Sequence, residues 1–206
     1  MNPARINRLD VWRTLSDGTR HQVGVLAQNR QGVFFQYARD YLARFANLSP
    51  FSLSFDEVLQ AAPQTPHAGL HGVFADSLPD GWGLLLMDRV FRQAGIPPAQ
   101  VSALDRLAFV ADRGLGALSY EPASSLQPAV TDSRINLGEL GCQAQALFDG
   151  QTTEVLAELV RVGSSGGARP KAQLYLSDAD GDSCSTTPGV GRRAFLVKFT
   201  SSSLPI

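Results

Sequence analysis

The chain has 206 residues, of which 18 are basic and 19 acidic, and its formal net charge is −1. This length predicts one domain or two small ones, each with its own hydrophobic core. The hydrophobic share of 44% argues against disorder over most of the chain. The near-neutral balance argues against a dedicated binder of nucleic acid or anionic membranes, although it leaves room for a local basic patch.

The N-terminus, the apolar runs and the cysteines exclude further classes of protein. The first fifteen residues carry four charged side chains and no apolar segment of the kind that a signal peptide needs. No apolar run approaches the roughly 18 residues of a membrane span. Cys142 and Cys184 are far apart and form neither a disulfide framework nor a zinc-binding pair. We therefore expect a cytoplasmic protein that does not bind a membrane.

The first third of the sequence predicts a small antiparallel sheet. Three short segments rich in apolar and β-branched residues are separated by turn sequences, Asp17-Gly18 and Asn29 to Gly32. They are residues 9–14, 21–27 and 32–37. At 51–55 apolar residues alternate with serine, which predicts a further strand.

Two helices follow. Ser77 suits a helix cap, and Pro79 and Asp80 suit the first turn of the helix behind it. A second helix is predicted from Ser102, with Asp105 three residues on. A strand at 117–120 closes this part of the chain, which has the composition of an α+β domain.

The remainder begins with a predicted linker and contains two helices and two strands. Residues 121–134 are rich in Pro, Ser and Ala, which is typical of a linker. Helices are predicted to start at Asn136 and at Thr153, each followed by an apolar stripe for packing. Strands are predicted at 172–176 and 193–199.

The best candidate for chemistry is the loop Gly163-Ser-Ser-Gly-Gly-Ala-Arg-Pro-Lys171. In a Gly-rich loop, backbone N–H groups can approach phosphate oxygens, and a lysine at the end of the loop can neutralise them. It is not a Walker A loop, because Pro170 and Ala172 stand where that motif needs Gly and Ser or Thr. The spacing alone suits a flexible surface loop equally well.

The lysines add weight to the phosphate interpretation. The chain has only two, Lys171 and Lys198, and both lie in its last quarter. An apolar strand that carries one lysine after a Gly-rich loop is how kinase-like lobes place the lysine that contacts nucleotide phosphates. The alternative is that Lys198 ends a strand and faces water.

Other patterns are weaker evidence for a functional site. His67 and His71 have a metal-like spacing but lie in a segment punctuated by Pro and Gly, without a Cys or carboxylate beside them. Asp178, Asp180 and Asp182 lack the closing Glu of a calcium loop and fit an acidic hairpin tip. The histidines have no visible nucleophile partner. We therefore expect neither a metal site nor hydrolase chemistry.

Two longer stretches resemble a known family. FADSLPDGWG at 74–83 and DRLAFVADRGLGAL at 105–118 are similar to signatures of the HipA family of bacterial serine/threonine kinases, the toxin halves of toxin–antitoxin pairs. The loop 164–171 and the Lys198 strand match the family in the same order. The resemblance implies a HipA-like N-terminal subdomain at 1–122, a linker at 123–135 and, at 136–206, the start of a kinase core with a partial nucleotide lobe.

The resemblance also implies roles for individual residues. Ser164 matches the regulatory autophosphorylation serine of the family, with Ser165 as a neighbour that could substitute for it. Lys198 matches the nucleotide lysine, and ATP with Mg is the implied cofactor. The implied phosphate loop consists of Gly166, Gly167, Ala168, Arg169 and Lys171.

The sequence departs from the family at its end. In the family a helical lobe with the catalytic-base Asp and the metal-binding Asp follows, whereas this sequence stops at Ile206. We therefore expect no catalytic residue in this chain, weak binding of ATP at most, and no autophosphorylation by the chain alone. The exposed last strand, 193–199, is expected to seek a partner.

Two functions remain in view. The first is the N-terminal lobe of a HipA-like kinase, incomplete as an enzyme. The second is a non-enzymatic regulatory or antitoxin-like module that binds a separately encoded kinase lobe. The partners implied by the family are a HipB-like helix-turn-helix antitoxin or a separate kinase lobe, an aminoacyl-tRNA synthetase as substrate, and DNA only through the antitoxin.

Overall fold

The chain forms two units that interrupt each other in sequence. A computed structural model describes residues 5–128, 134–152, 157–161, 167–177 and 181–199. The first unit combines Met1–Leu78 with Ala94–Leu126, and the second combines Pro79–Gln93 with Gln127–Ile206. Segment 79–93 therefore packs with residues that come much later in the sequence.

Nine strands and six helices make up the described residues, and their mixture confirms the predicted α+β class. The strands are β1 Arg8–Thr14, β2 Arg20–Asn29, β3 Gly32–Tyr37, β4 Gln60–Ala61, β5 Leu118–Glu121, β6 Ile135–Asn136, β7 Lys171–Leu176, β8 Ser183–Cys184 and β9 Arg193–Lys198. The helices are α1 Arg39–Arg44, α2 Gly72–Ala75, α3 Gly81–Gln93, α4 Ala103–Val110, α5 Leu137–Phe148 and α6 Ala157–Arg161.

The first unit is built on a five-stranded antiparallel sheet in the order β4-β3-β2-β1-β5. Its first three strands and β5 confirm the strands predicted at 9–14, 21–27, 32–37 and 117–120. Phe35 of the sheet packs against Phe74 of α2, with their ring centroids 4.7 Å apart. Leu104 and Leu107 of α4 are also fully buried in this core.

The strand predicted at 51–55 is wrong. The backbone N–H groups of Ser52 and Leu53 both donate to the carbonyl of Ser49, at 3.2 and 3.0 Å, so the chain turns there. Phe51 is 99% exposed. The sheet is extended instead by β4, which pairs with Phe34 and Phe35. Alternation of apolar and polar residues specifies a strand only where a neighbouring strand can accept its backbone hydrogen bonds.

The start of α4 confirms the helix predicted from Ser102, and the structure shows a capping box there. The hydroxyl of Ser102 accepts from the N–H of Asp105 at 3.1 Å, and Asp105 Oδ2 accepts from the N–H of Ser102 at 3.0 Å. Asp105 Oδ1 also accepts from the N–H of Ile6 at 2.9 Å. One carboxylate therefore fixes both the start of the helix and the segment before β1.

The helix predicted behind Ser77 begins later than the sequence suggests. The Ser77 hydroxyl lies 2.6 Å from the hydroxyl of the buried Tyr120 and caps no helix. Helix α3 begins at Gly81. A tertiary hydrogen bond to a residue 43 positions away competes with the local cap, and sequence spacing does not reveal it.

The second unit packs three helices on one face of the β7–β9 hairpin. Buried residues of α5 meet Trp82 and Leu86 of α3, Leu159 of α6 and the alternate residues Ala172 and Leu174 of β7. The stripe predicted behind Asn136 supplies Leu140, Ala144 and Leu147 to this core. In the described part of the chain, no helix is long and apolar enough to cross a membrane.

The cap of α4 generates a stability prediction. We expect Asp105→Ala to lower the free energy of unfolding by about 1–2 kcal/mol, because it removes the capping box and the bond to Ile6 together. Urea unfolding followed by circular dichroism measures the change. Asp112→Ala, at an exposed carboxylate just behind the same helix, is the control and should change stability by less than about 0.5 kcal/mol. Equal effects of the two substitutions would contradict the role of the cap.

Candidate functional site

The two lysines of the chain lie directly opposite each other. Strands β7 and β9 are antiparallel, and their register pairs Lys171 with Lys198. Side chains of directly opposed residues project from the same face of a ladder, with Cβ atoms about 5 Å apart. The register therefore brings both ammonium groups to one face, although the residues are separated by most of the last quarter of the chain.

That face is the one turned away from the hydrophobic core. Ala172, Leu174 and Val197 alternate with the lysines along the two strands and pack into the core. Lys171 is 6% exposed, whereas Lys198 is exposed. The ladder thus has one apolar face, which holds the unit together, and one face that carries positive charge.

The described end of the Gly-rich loop, from Gly167 onward, lies against Lys171 on this face. A Cβ atom built on Gly167 would stand 2.8 Å from Lys171 Nζ, so the Lys171 ammonium group is next to the Gly167 backbone. Gly167 has a φ of 106°, which favours glycine. Any larger residue at this position would meet both backbone strain and the Lys171 side chain. The described part of the loop therefore packs closely on the first of the two lysines.

The start of α3 holds Gly167 from the other side. The Gly167 N–H donates to Asp80 Oδ1 at 2.6 Å, and the Gly167 carbonyl accepts from the Trp82 N–H at 3.1 Å. Between them, a Cβ atom on Gly81 would lie 2.6 Å from the carbonyl carbon and oxygen of Gly167. Gly81, with a φ of 41°, is thus the residue that lets the two backbones approach.

Helix α3 is itself fixed at both ends. Trp82 is fully buried, and its ring centroid lies 6.4 Å from that of Phe148. Near the other end, the Arg89 guanidinium donates to two backbone carbonyls. One is that of Thr152, just after α5, at 2.6 Å, and the other is that of Leu147, in the last turn of α5, at 3.3 Å. The helix start that contacts the loop is therefore anchored in the core of its unit.

The structure places the predicted site residues as follows. Gly167, Lys171 and Lys198 come together, and the exposed Ala168 and Arg169 connect the first two. Ser164, Ser165 and Gly166 lie outside the described residues. The assignment of these residues to a nucleotide stays a prediction.

Asp80, Gly81 and Trp82 are the residues of this site that sequence reasoning missed. They belong to the stretch 74–83 that carries the resemblance, but the sequence suggested only a helix start there. The signal that could have found them is the unfavourable pair of glycines, Gly81 and Gly83, in the first turn of a helix. A glycine that weakens a helix start indicates a close backbone approach.

The two histidines with metal-like spacing lie in different surroundings. His71 is buried between Phe35 and Phe74, and its Nε2–H donates to the Gln60 carbonyl at 3.4 Å, whereas His67 is exposed. Across the residues that the structure covers, no group of three His, Cys, Asp or Glu side chains could hold a metal ion. Asp178 and Asp180 lie outside that part of the chain, and Asp182 is exposed.

Comparison with known proteins identifies the first part of the chain. The family model of the HipA N-terminal domain matches residues 17–121, about half of the chain. No curated protein and no solved structure matches it. The match ends before the Gly-rich loop and the two lysines.

Burial of His71 generates a pH prediction. Burial lowers the pKa of the His71 imidazole below its usual value of 6.5, so the folded state favours the neutral ring. The unfolded chain binds the extra proton first, and stability present above about pH 6.5 is lost as the pH falls toward the lowered value. The slope contributed by one group is at most about 1.4 kcal/mol per pH unit.

Urea unfolding between pH 7.5 and 5.5 measures that slope. We expect His71→Gln to flatten the dependence, because glutamine does not titrate and can still donate to Gln60. His67→Gln, at the exposed histidine four residues earlier, is the control and should keep the slope of the unsubstituted chain. A slope unchanged by His71→Gln would show that another group is responsible.

Proposed function

The chain belongs to the HipA family, and on this basis we propose that it is the N-terminal lobe of a HipA-like toxin serine/threonine protein kinase. In this role the lobe contributes phosphate contacts for ATP and carries a regulatory serine. The observation that supports the proposal best is the register of β7 and β9, which sets the only two lysines of the chain directly opposite each other beside the Gly-rich loop.

Electrostatics favours an anion at this place. Like charges directly opposite each other on a ladder destabilise it, and an anion between them is attracted by both. A phosphate chain is the anion that also suits the loop, because backbone N–H groups in Gly-rich segments donate to phosphate oxygens. Leu196, 49% exposed and on the same face as Lys198, offers apolar surface to a base.

The groups of the proposed site have different roles. The Lys198 ammonium neutralises phosphate charge, as a strand lysine does in kinase lobes. Lys171 contacts the Gly167 backbone of the loop and adds a second positive charge. ATP supplies the phosphoryl group, and Mg accompanies it. No residue of this chain is assigned to the metal, because the described residues contain no metal-binding cluster.

The regulatory part of the proposal rests on the family resemblance. Ser164 is the proposed phosphorylation site, with Ser165 as its substitute. Phosphate at either serine would compete electrostatically with a nucleotide for the same positive groups. The remaining proposed partners are a HipB-like antitoxin, DNA through that antitoxin, and an aminoacyl-tRNA synthetase as substrate.

A residue-resolved titration tests the nucleotide site. We expect Mg-ATP to shift the amide resonances of 167–169, 171 and 195–198, and Lys198→Ala to weaken binding at least about tenfold by removing a charged contact. Nuclear magnetic resonance detects the weak binding that we expect. Arg193→Ala, at the opposite end of the same strand, is the matched control and should leave the affinity within about threefold. Binding that ignores Lys198→Ala would contradict the site.

Exposed apolar residues on β9 favour the second candidate, a regulatory module that binds a separate kinase lobe. Phe195 and Leu196 are 41% and 49% exposed on opposite faces of the strand. Apolar surface on an edge strand recruits other chains. Light scattering after mixing with a HipA-type catalytic lobe separates the candidates. A stable complex that forms without nucleotide favours the module, and a chain that stays monomeric contradicts it.

A further inference from the structure

Both polar groups of the Gly167 backbone are bound by the start of α3. Its N–H donates to the Asp80 carboxylate and its carbonyl accepts from the Trp82 N–H, at 2.6 and 3.1 Å. We propose that Asp80, Gly81 and Trp82 are positioning residues that hold the described end of the Gly-rich loop, at Gly167, against Lys171 and so set its affinity for phosphate. This inference deepens the proposed nucleotide site and rests on it.

Each of the three residues contributes to the contact with Gly167 in a different way. Trp82 is anchored, since its side chain is fully buried in the core of the second unit. Gly81 permits the short distance between the two backbones, since a Cβ atom there would come within 2.6 Å of the Gly167 carbonyl. Asp80 supplies a charge-assisted hydrogen bond, which is stronger than a neutral one. Together they connect a core helix to a loop 87 positions away.

The arrangement assigns Gly167 a role different from that of a direct phosphate donor. Its N–H already donates to Asp80, so it serves as the anchor of the loop. The amides that follow, those of Ala168 and Arg169, lie between this anchor and the buried Lys171. Fixing both ends of so short a segment orders its backbone before a ligand arrives, and such preorganisation raises affinity by lowering the entropic cost of binding.

Four substitutions separate the possible causes. Asp80→Ala removes the acceptor of the Gly167 N–H, whereas Asp80→Asn keeps an acceptor oxygen and removes the charge. Gly81→Ala forces the two backbones apart without changing any charge. Gly150→Ala is the matched control for Gly81→Ala: it lies in the same unit and has a positive φ of 74°, but a Cβ atom there meets nothing within 4 Å.

Two measurements are made on the full-length chain and on each variant. Hydrogen exchange of the Gly167 amide without ligand reports the anchor directly, and titration with Mg-ATP reports the affinity. We expect Asp80→Ala and Gly81→Ala to speed the exchange about tenfold and to weaken Mg-ATP binding about tenfold, as loss of one charged hydrogen bond would. Asp80→Asn and Gly150→Ala should stay within about threefold of the unsubstituted chain in both measurements.

The outcomes are distinct. Exchange unchanged by Asp80→Ala would overturn the anchor, and faster exchange with unchanged affinity would overturn its role in phosphate binding. Tighter binding in both Asp80 variants would also overturn the inference, because the carboxylate would then be a competitor of phosphate. Absence of Mg-ATP shifts in the unsubstituted chain, with the exchange effects intact, would instead contradict the proposed function and leave the anchor as a structural contact only.

Discussion

Lys171 and Lys198 lie directly opposite each other on one face of the β7–β9 ladder, and the candidate site depends on this register. Opposed like charges cost on the order of 1 kcal/mol or less on a partly exposed ladder. The other face offsets this cost, because burying a single residue such as Leu174 contributes roughly 1.5–3 kcal/mol. Burial on the hydrophobic face therefore exceeds the cost of placing two lysines opposite each other on the other face.

Helix α3 connects that charged face to the signature at 74–83. Its buried Trp82 belongs to the core beneath the hairpin, and its first residues contact the loop above the lysines. The same helix lies within the match to the HipA N-terminal domain. A segment that belongs to the family model by sequence thus takes part in the candidate phosphate site by packing. This explains why a helix would begin with Gly81 despite the low helix propensity of glycine.

Local patterns predicted what depends on local chemistry. The strands of the first sheet follow from period and turn residues, and the helix start at Ser102 follows from its local sequence. The concentration of both lysines near the loop was also visible in the sequence. Their exact opposition was not, because register depends on how the two strands pair. The strand predicted at 51–55 is absent because local hydrogen bonds to the Ser49 carbonyl turn the chain there. Helix α3 begins later than predicted because Ser77 bonds to the distant Tyr120.

The central claim is that phosphate binds between the Gly-rich loop and the paired lysines. Replacing Mg by paramagnetic Mn in the nucleotide complex broadens amide resonances in proportion to their closeness to the phosphates. We predict that the amides of Ala168, Arg169, Lys171 and Lys198 broaden first, while those of α5, which packs on the other face of the ladder, broaden later. Broadening centred on α5, or spread evenly over the second unit, would contradict the account.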